Sequence, residues 1–556
     1  MKIETFFVSS LNKVMPSVIP LDKICKISML KNERLNFQLV TFSAMKRRGL
    51  LKIKLLGEIA GFVECRSVEL NTGYYNTRPD SDDYVIYKDN RVGLFPEILE
   101  PDCNGNFTLL SGQYKSLWFT ISDTQNLKAG IYDFTVELWN TDETEILGEC
   151  SIGIEVVDAL LPKNDLLITN WMHYDCIADY YGVKPFTEKF NSLLWEYEKT
   201  AVKHGVNTIY VPLFTPPLDT KIGAERTTIQ LVDILVNAEN NYIFDFSKLE
   251  RFIEDAELAG YEYFEFSHLA TQWGAKHCPK IMATIEGKEE KIFGWDSDAL
   301  GEEYHNFLSQ FLPLFIRLIK DKGIFSKSYL HISDEPSRDD LSGYLAFRKS
   351  IQPYIQGVPI IDALSDYEFY ERGAVDIPVV NIYYTRKFIE NNVSYFVYNF
   401  CANHKNYVSN RFFNMPSLRN RILGTQLYAN HAKGYLHWGF NFYNSYQSKE
   451  RLEPFFKTDA GGLFQSGDSF IVYPENGKVL DSLRLEVFSD AITDYRKWLL
   501  LEQLKGKEYV KEFLAQKGID GYSNYPRSNS EFLKIQEEII CQIKKIQNGN
   551  HEKEDL

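Results

Sequence analysis

The stretch Ser328-Tyr-Leu-His-Ile-Ser-Asp-Glu-Pro336 carries a short strand-like run straight into two adjacent carboxylates and a proline. Like charges a few ångströms apart disfavour each other's ionisation, so such a pair at the mouth of a buried strand is costly. Proline removes a ladder donor and stops the strand at that point. Ser337 and Asp340 then read as a capping box that opens a helix. On either side lie "YFEFSH" at 263–268 and "PIIDAL" at 359–364, with helical patterns at 301–322 and 338–355 between the three strands.

Moving outward, the alternation continues in both directions. Further strands are expected at 166–171, 208–213, 379–384, 394–400 and 434–442, and further helices at 187–204, 247–260, 416–431 and 482–502. Eight strand–helix alternations predict a (β/α)8 TIM-type barrel over residues 159–505. In the last helix, Leu485, Phe488, Ile492, Tyr495 and Leu499 fall on one face. Residues 1–158 have a different texture. Period-two runs such as "LNFQLVTFSA", "SLWFTISD" and "GIYDFTVELWN" alternate with turns at 71–76, 79–83 and 102–106, which predicts an antiparallel β-sandwich. Residues 506–556 read as a helical C-terminal extension that frays into "NGNHEKEDL". The fold expected is therefore multidomain: sandwich, barrel, helical tail.

Composition narrows the partners. The chain has 556 residues and a net charge of −15, which argues against nucleic acid or an anionic membrane surface. No apolar run is long enough to span a bilayer, and the N-terminus "MKIETFFVSSLNKVMPSVIP" reads as a first strand rather than a secretion signal. A cytoplasmic protein is expected. The eight cysteines, at 25, 65, 103, 150, 176, 278, 401 and 541, are widely spaced without a CxxC, so free thiols are expected, and neither a metal nor a cofactor.

In a parallel barrel the strand C-termini face the functional rim. That places Asp334 and Glu335 on the lip of the fourth strand. Other strand ends bring Trp171, His173, Glu265, His268, Tyr383, Tyr384, Tyr398, Trp438 and Asn441 to the same rim, with Trp273 on the loop after the third strand. Rings, amides and acids together suit a sugar, whose apolar face stacks while its hydroxyls hydrogen-bond. Trp273 and Trp438 are the expected sugar platforms. Tyr210 reads as structural, His204 as a helix-end histidine capped by Gly205, and Gly461-Gly462 as a turn.

A retaining glycosidase ordinarily sets a second carboxylate across the sugar as nucleophile. The sixth, seventh and eighth strand ends, "NIYYT", "YFVYNF" and "HWGFNFYNS", contain no acid. A 2-acetamido group on the sugar can instead attack its own anomeric carbon, giving an oxazoline-type intermediate. The protein then needs one carboxylate to orient the acetamide, here Asp334, and one general acid/base, here Glu335.

These residues carry a resemblance. The Asp-Glu-Pro after an apolar strand, "FEFSHLATQWGAKHCPKI" at 264–281, "GYLHWGFNFY" at 434–443 and the long stretch at 467–502 resemble glycoside hydrolase family 123. The resemblance spans roughly 160–505 and implies a β-N-acetylgalactosaminidase acting by substrate assistance, behind an N-terminal β-sandwich. It implies the orienting role for Asp334, the acid/base role for Glu335, and a tyrosine on the acetamide carbonyl, for which Tyr383, Tyr384 and Tyr398 are the candidates. The substrate expected is a glycan ending in a β-linked N-acetylhexosamine, GalNAc before GlcNAc. Two other readings stand beside it: a non-catalytic carbohydrate-binding barrel, and a conventional two-carboxylate glycosidase pairing Glu265 with Glu335.

Overall fold

The computed structural model describes residues 2–20, 22–44, 49–74, 81–82, 92–101, 105–237 and 241–554, with backbone alone after 547. The turns expected at 71–76, 79–83 and 102–106, Cys103 and the frayed end lie wholly or partly outside these residues.

The N-terminal region forms two sheets. One is built on Glu4–Ser9, Leu35–Phe42, Tyr114–Ile121, Val63–Tyr74 and Val92–Pro101; the other on Lys26–Lys31, Ile146–Leu160, Gly130–Trp139, Gly49–Leu56 and Asn106–Leu109. Alternate residues turn inward, so Phe7, Phe37 and Phe119 of the first sheet meet Phe134 of the second, with ring centroids 5.5–6.4 Å apart. Most of these contacts are tilted or edge-on, the geometry that ring quadrupoles prefer. Pairing is antiparallel except where Lys26–Lys31 runs parallel to Ile146–Leu160. A long intervening connection, rather than a hairpin, joins those two strands, so nothing forces them to run in opposite senses.

From Leu167 onward the eight expected strands all form. They are Leu167–Asn170, Thr208–Val211, Tyr263–Phe266, Ser328–Leu330, Ile361–Leu364, Ile377–Asn381, Phe396–Tyr398 and Gly434–His437. All pair parallel, in the ring order four, three, two, one, eight, seven, six, five. The ring closes through one bridge between Leu330 and Ile360, where the Leu330 amide donates to the Pro359 carbonyl at 3.0 Å. Helices at Glu188–Lys203, Ser247–Ala259, Glu302–Asp321, Leu341–Ile355, Ser417–Ala429 and Leu483–Lys505 follow the expected intervals, and one-turn helices at Tyr367–Glu371 and Arg386–Glu390 complete the outer layer. Ser337 and Asp340 do form a capping box, with the Ser337 amide donating to Asp340 Oδ2 at 3.0 Å. His204 is buried at its helix end, its Nδ1 2.7 Å from the Thr200 carbonyl.

Two features were not expected from sequence. Insertions after the second and third barrel strands build an extra four-stranded sheet from Asp233–Val236, Tyr242–Asp245, Ile281–Ile285 and Lys288–Phe293. A hairpin, Val472–Glu475 with Lys478–Ser482, leaves the barrel and extends the first N-terminal sheet through Asp481–Leu99 and Ser482–Ile98.

The helix Leu483–Lys505 joins the two regions and is buried nearly all round, polar residues included. It lies so close to Ser417–Ala429 that a Cβ on Gly424 would sit 1.7 Å from the Ala491 carbonyl oxygen. Its charges are paired, mostly across the seam and once, through Arg421, within the barrel. Glu486 accepts from Arg34 and Arg66, Arg484 holds Glu97 at 2.7 Å, Lys497 meets Glu33 at 2.6 Å, and Asp494 accepts from Arg421 at 2.7 Å. C-terminal helices at Lys507–Gln516 and Asn529–Glu554 cover the outer side. No described helix is long and apolar enough to cross a membrane. Cys25, Cys150, Cys176, Cys278 and Cys541 are free thiols.

Candidate active site

The fourth barrel strand stops pairing at Leu330, before its apolar pattern ends. The reason lies on the next strand, where the buried Asp362 carboxylate takes the backbone amides of Ile332 and Ser333 at 3.1 Å. A side chain thus replaces the ladder and lets the chain turn over the rim. Beyond it, Glu335 adopts a left-handed φ of +45°, a conformation that costs a non-glycine residue of the order of 1–2 kcal/mol. Its amide donates to the Ala363 carbonyl at 3.1 Å, and Pro336 follows. Over the top folds the loop 272–275, where Trp273, Gly274 and Ala275 all have positive φ. Trp273 donates its amide to the Asp334 carbonyl at 2.8 Å, and the Gly274 and Ala275 amides share Ser333 Oγ. A Cβ on Gly274 would lie 2.4 Å from Asp340 Cγ, so glycine is required there.

Asp334 and Glu335 open onto a cavity of about 440 Å³ at the C-terminal rim of the barrel. Trp171, Trp273, Tyr398 and Trp438 line it with them, joined by Asp219, Gln272, Phe400, Tyr446 and Phe464. Tyr398 donates its hydroxyl to Glu335 Oε1 at 2.6 Å. Trp438 is oriented by its Nε1–H, which donates to Asp468 Oδ2 at 3.1 Å. Burial and the neighbouring Glu335 push the Asp334 carboxyl well above the ordinary carboxylate range. Burial also raises Glu335, against the lowering pull of the Tyr398 hydrogen bond. Two neighbouring acids in one pocket, unequally hydrogen-bonded, are the arrangement in which one can hold a proton while the other is ionised.

The remaining expected site residues do not line this cavity. Glu265 is fully buried in the barrel, where Oε1 accepts from His331 Nε2 at 2.5 Å and from Trp171 Nε1 at 3.2 Å. His268 is buried too, stacked on His331 at 4.4 Å, with Nδ1 2.8 Å from the Tyr210 hydroxyl. His173 sits behind Trp438, between the Trp438 carbonyl and Arg226, and burial beside that guanidinium lowers its pKa to about 3. Asn441 spends both ends of its amide on the His173 backbone. Tyr383 ties down the loop after the seventh strand, donating to the Ala402 carbonyl and accepting from the Lys405 amide, and Tyr384 is exposed. Glu265 and His268 are satisfied below the rim by neighbouring side chains, while His173, Asn441 and Tyr383, which lie beyond their strands, are held largely by backbone groups.

Beneath the pair runs a chain of buried hydrogen bonds: Trp171 to Glu265, Glu265 to His331, His331 to Asp362 at 2.8 Å, and Asp362 to the Tyr344 hydroxyl. Burial alone would depress His331, but Glu265 and Asp362 on its two ring nitrogens lift it to about 9. Asp219, Tyr446 and Phe464 were not anticipated, since they come from the long loops after the second and eighth strands. His331 and Asp362 were legible as polar residues set inside apolar strands, "YLHIS" and "IIDAL".

The profile described as "Glycoside hydrolase 123, catalytic domain" matches residues 171–501. Among solved structures, the chain is similar to a family 123 glycoside hydrolase from Clostridium perfringens, described in a study of glycolipid glycan hydrolysis. The TM-score is 0.72 at 16% identity, with 99% of each chain covered. A β-glucuronidase from Bacteroides uniformis matches more loosely, with a TM-score of 0.31 at 9% identity over 90% of this chain and 50% of that one. One from Ruminococcus gnavus gives 0.29 at 9% identity, over 82% and 66%. No curated protein matches the chain. On the profile match, which covers more than half of its length, this chain belongs to glycoside hydrolase family 123.

Proposed function

We propose that the chain is a (β/α)8-barrel hydrolase that removes a terminal β-linked N-acetylhexosamine, GalNAc in preference to GlcNAc, with retention and through an oxazoline-type intermediate. The observation that carries this reading is the adjacent acids Asp334 and Glu335 on one rim of a ring-lined cavity, with Tyr398 on Glu335 at 2.6 Å. Asp334 orients the 2-acetamido group and balances charge on its nitrogen as the carbonyl oxygen attacks the anomeric carbon. Glu335, its pKa raised by burial, protonates the leaving oxygen and then deprotonates the water that opens the intermediate. Trp171, Trp273 and Trp438 give the sugar faces to stack on.

Pairing Glu265 with Glu335 is the poorer account, because Glu265 is spent on His331 and Trp171 below the cavity. A purely carbohydrate-binding barrel would gain nothing from holding two acids at raised pKa. The test is a side-by-side assay of 4-nitrophenyl β-GalNAc, β-GlcNAc, β-Gal and β-Glc, with a thiazoline analogue as inhibitor. Cleavage of the 2-acetamido glycosides and inhibition by the thiazoline are expected. Equal cleavage of the 2-hydroxy glycosides would rule out participation by the substrate, and glycan binding without any turnover would favour the binding module.

A further inference from the structure

We propose that the cavity selects a terminal sugar bearing no negative charge, with Asp219 as the specificity-determining carboxylate that takes the sugar's hydroxyls. This rests on the glycosidase reading and narrows its substrate class to uncharged sugars, excluding sulfated and uronic ones.

Three observations converge. The first is the lining itself. Asp219, Asp334 and Glu335 contribute three carboxylates, while the described lining residues include no lysine, arginine or histidine. Among the described residues, Arg226 and Lys449 act on Asp219 from outside the lining. Arg226 is buried with both its Nε and Nη2 on Asp175, at 2.7 and 2.6 Å, and its Nη1 on the Leu218 carbonyl. Lys449 is exposed and sits 5.5 Å from the centre of the Tyr446 ring.

The second is how firmly Asp219 is held. Its amide donates to Gln272 Oε1 at 2.6 Å, its carbonyl accepts from Ser448 Oγ at 2.8 Å, and Oδ2 accepts from the Gln447 amide at 3.1 Å. The backbone there is left-handed, with φ +42° at Asp219, +60° at Gln447 and +51° at Ser448. Strain of this kind persists where the surroundings over-determine it, and it clusters at ligand clamps. Oδ1 has no donor among the described residues and remains free for hydroxyls. Burial raises this carboxyl to about 6, against the pull of Arg226, which makes it a strong acceptor that a hydroxyl satisfies better than bare protein does.

The third is the company Asp219 keeps. Leu218, Leu463, Phe464 and Tyr446 line the same cavity, so on that apolar part of the wall a polar group of the sugar has Asp219 as its polar partner. A hydroxyl donates to it. A sulfate or a sugar carboxylate brings only acceptors and a like charge, and rejection by an uncompensated charge is a common route to specificity.

The experiment measures kcat/KM of the full chain on each neutral 4-nitrophenyl glycoside above, beside its 6-O-sulfate and beside the β-glucuronide. For whichever neutral sugar is cleaved, the anionic partner should be slower by at least about 100-fold. Asp219→Asn should raise KM for the neutral sugar by about tenfold or more, with kcat within a few-fold, and should narrow the discrimination. Sulfated and neutral sugars cleaved within tenfold of each other would overturn the inference. So would an Asp219→Asn variant with unchanged KM, or one that lost kcat by a thousandfold at constant KM, which would make Asp219 a reacting group. If a 2-hydroxy sugar proves the better substrate, the acetamide reading falls, while the sulfate ratio still judges this one. Where nothing in the panel turns over, calorimetric titration of the same pairs into Glu335→Gln reads the ratio in Kd.

Discussion

Among the protein's buried carboxylates, those of the seam and those of the barrel rim are treated in opposite ways. Along the seam between the N-terminal sheets and the barrel, burial pushes Glu486 up, but Arg34 and Arg66 beside it hold its pKa well below the ordinary range. At the rim of the barrel, Asp334 and Glu335 have no guanidinium or ammonium partner among the described residues, and burial leaves both raised. The same chemical group is thus held ionised where cations surround it and is left with a raised pKa where they are withheld. A catalytic acid must hold a proton near the working pH, and a seam carboxylate must never do so. Buried ion pairs contribute little over an apolar replacement, yet losing one partner leaves the other charge stranded. The seam is therefore fragile to single substitutions, and the rim is not.

The largest expected effect tests the rim. Glu335→Gln should lower kcat on substrates with poor leaving groups by about 10²–10⁴-fold, while denaturant midpoints stay at or above those of the wild type. A fall in stability matching the fall in rate would mean that Glu335 is structural after all. The seam should answer the other way. Arg66→Met takes from Asp481 its guanidinium partner and leaves Glu486 with Arg34 alone, and a loss of about 3 kcal/mol is expected from urea titration, with KM little changed in whatever protein remains folded.

The third prediction sets the two regions against each other with pH. The rim acids have raised pKa values, so the folded state binds their protons more tightly than the unfolded chain does. Their contribution to stability is present below the ordinary carboxylate pKa of about 4 and is lost as pH rises through the raised values. Glu486 is depressed, so its contribution is present above about 4.3 and is lost as pH falls through its folded-state value. The double variant Asp334→Asn, Glu335→Gln should accordingly match wild-type stability near pH 4 and exceed it increasingly towards neutrality. A constant difference across that range would mean the acids are not perturbed.

Smaller effects come from the supports of the site. Tyr398→Phe removes the hydrogen bond that favours ionised Glu335, and the limb of the pH–rate profile assigned to Glu335 should move to higher pH. Asp468→Asn alters the acceptor for the Trp438 indole; a rise in KM of a few-fold with kcat preserved would identify Trp438 as a sugar platform held by that bond.

Much of this architecture could be read from the chain. The order of eight strands followed from apolar runs alternating with helical stretches, and the Asp-Glu-Pro signature, with Ser337 and Asp340 capping the next helix, placed the acids on the rim. Individual strand residues were harder to assign. Glu265 and His268 alternate along "FEFSH", and nothing in that pattern tells a rim residue from one a layer lower, satisfied by His331 and Tyr210. The loops that bring Asp219, Tyr446 and Phe464 to the cavity have no periodicity to follow. Helix 483–505 hides more than the apolar face read from its sequence: charged residues seldom bury unless paired, and the partners of its buried charges, Arg34, Arg66, Glu33 and Glu97, lie hundreds of residues earlier.

Local patterning, then, determined the barrel, the sheets in front of it and the location of the acid pair, because periodicity and chain-stopping residues act over a few neighbours. Tertiary structure alone decided which carboxylates have raised and which have lowered pKa values, which rings face the cavity and which charges form the seam. Those properties depend on distance and desolvation, and they are set by groups that only folding brings together.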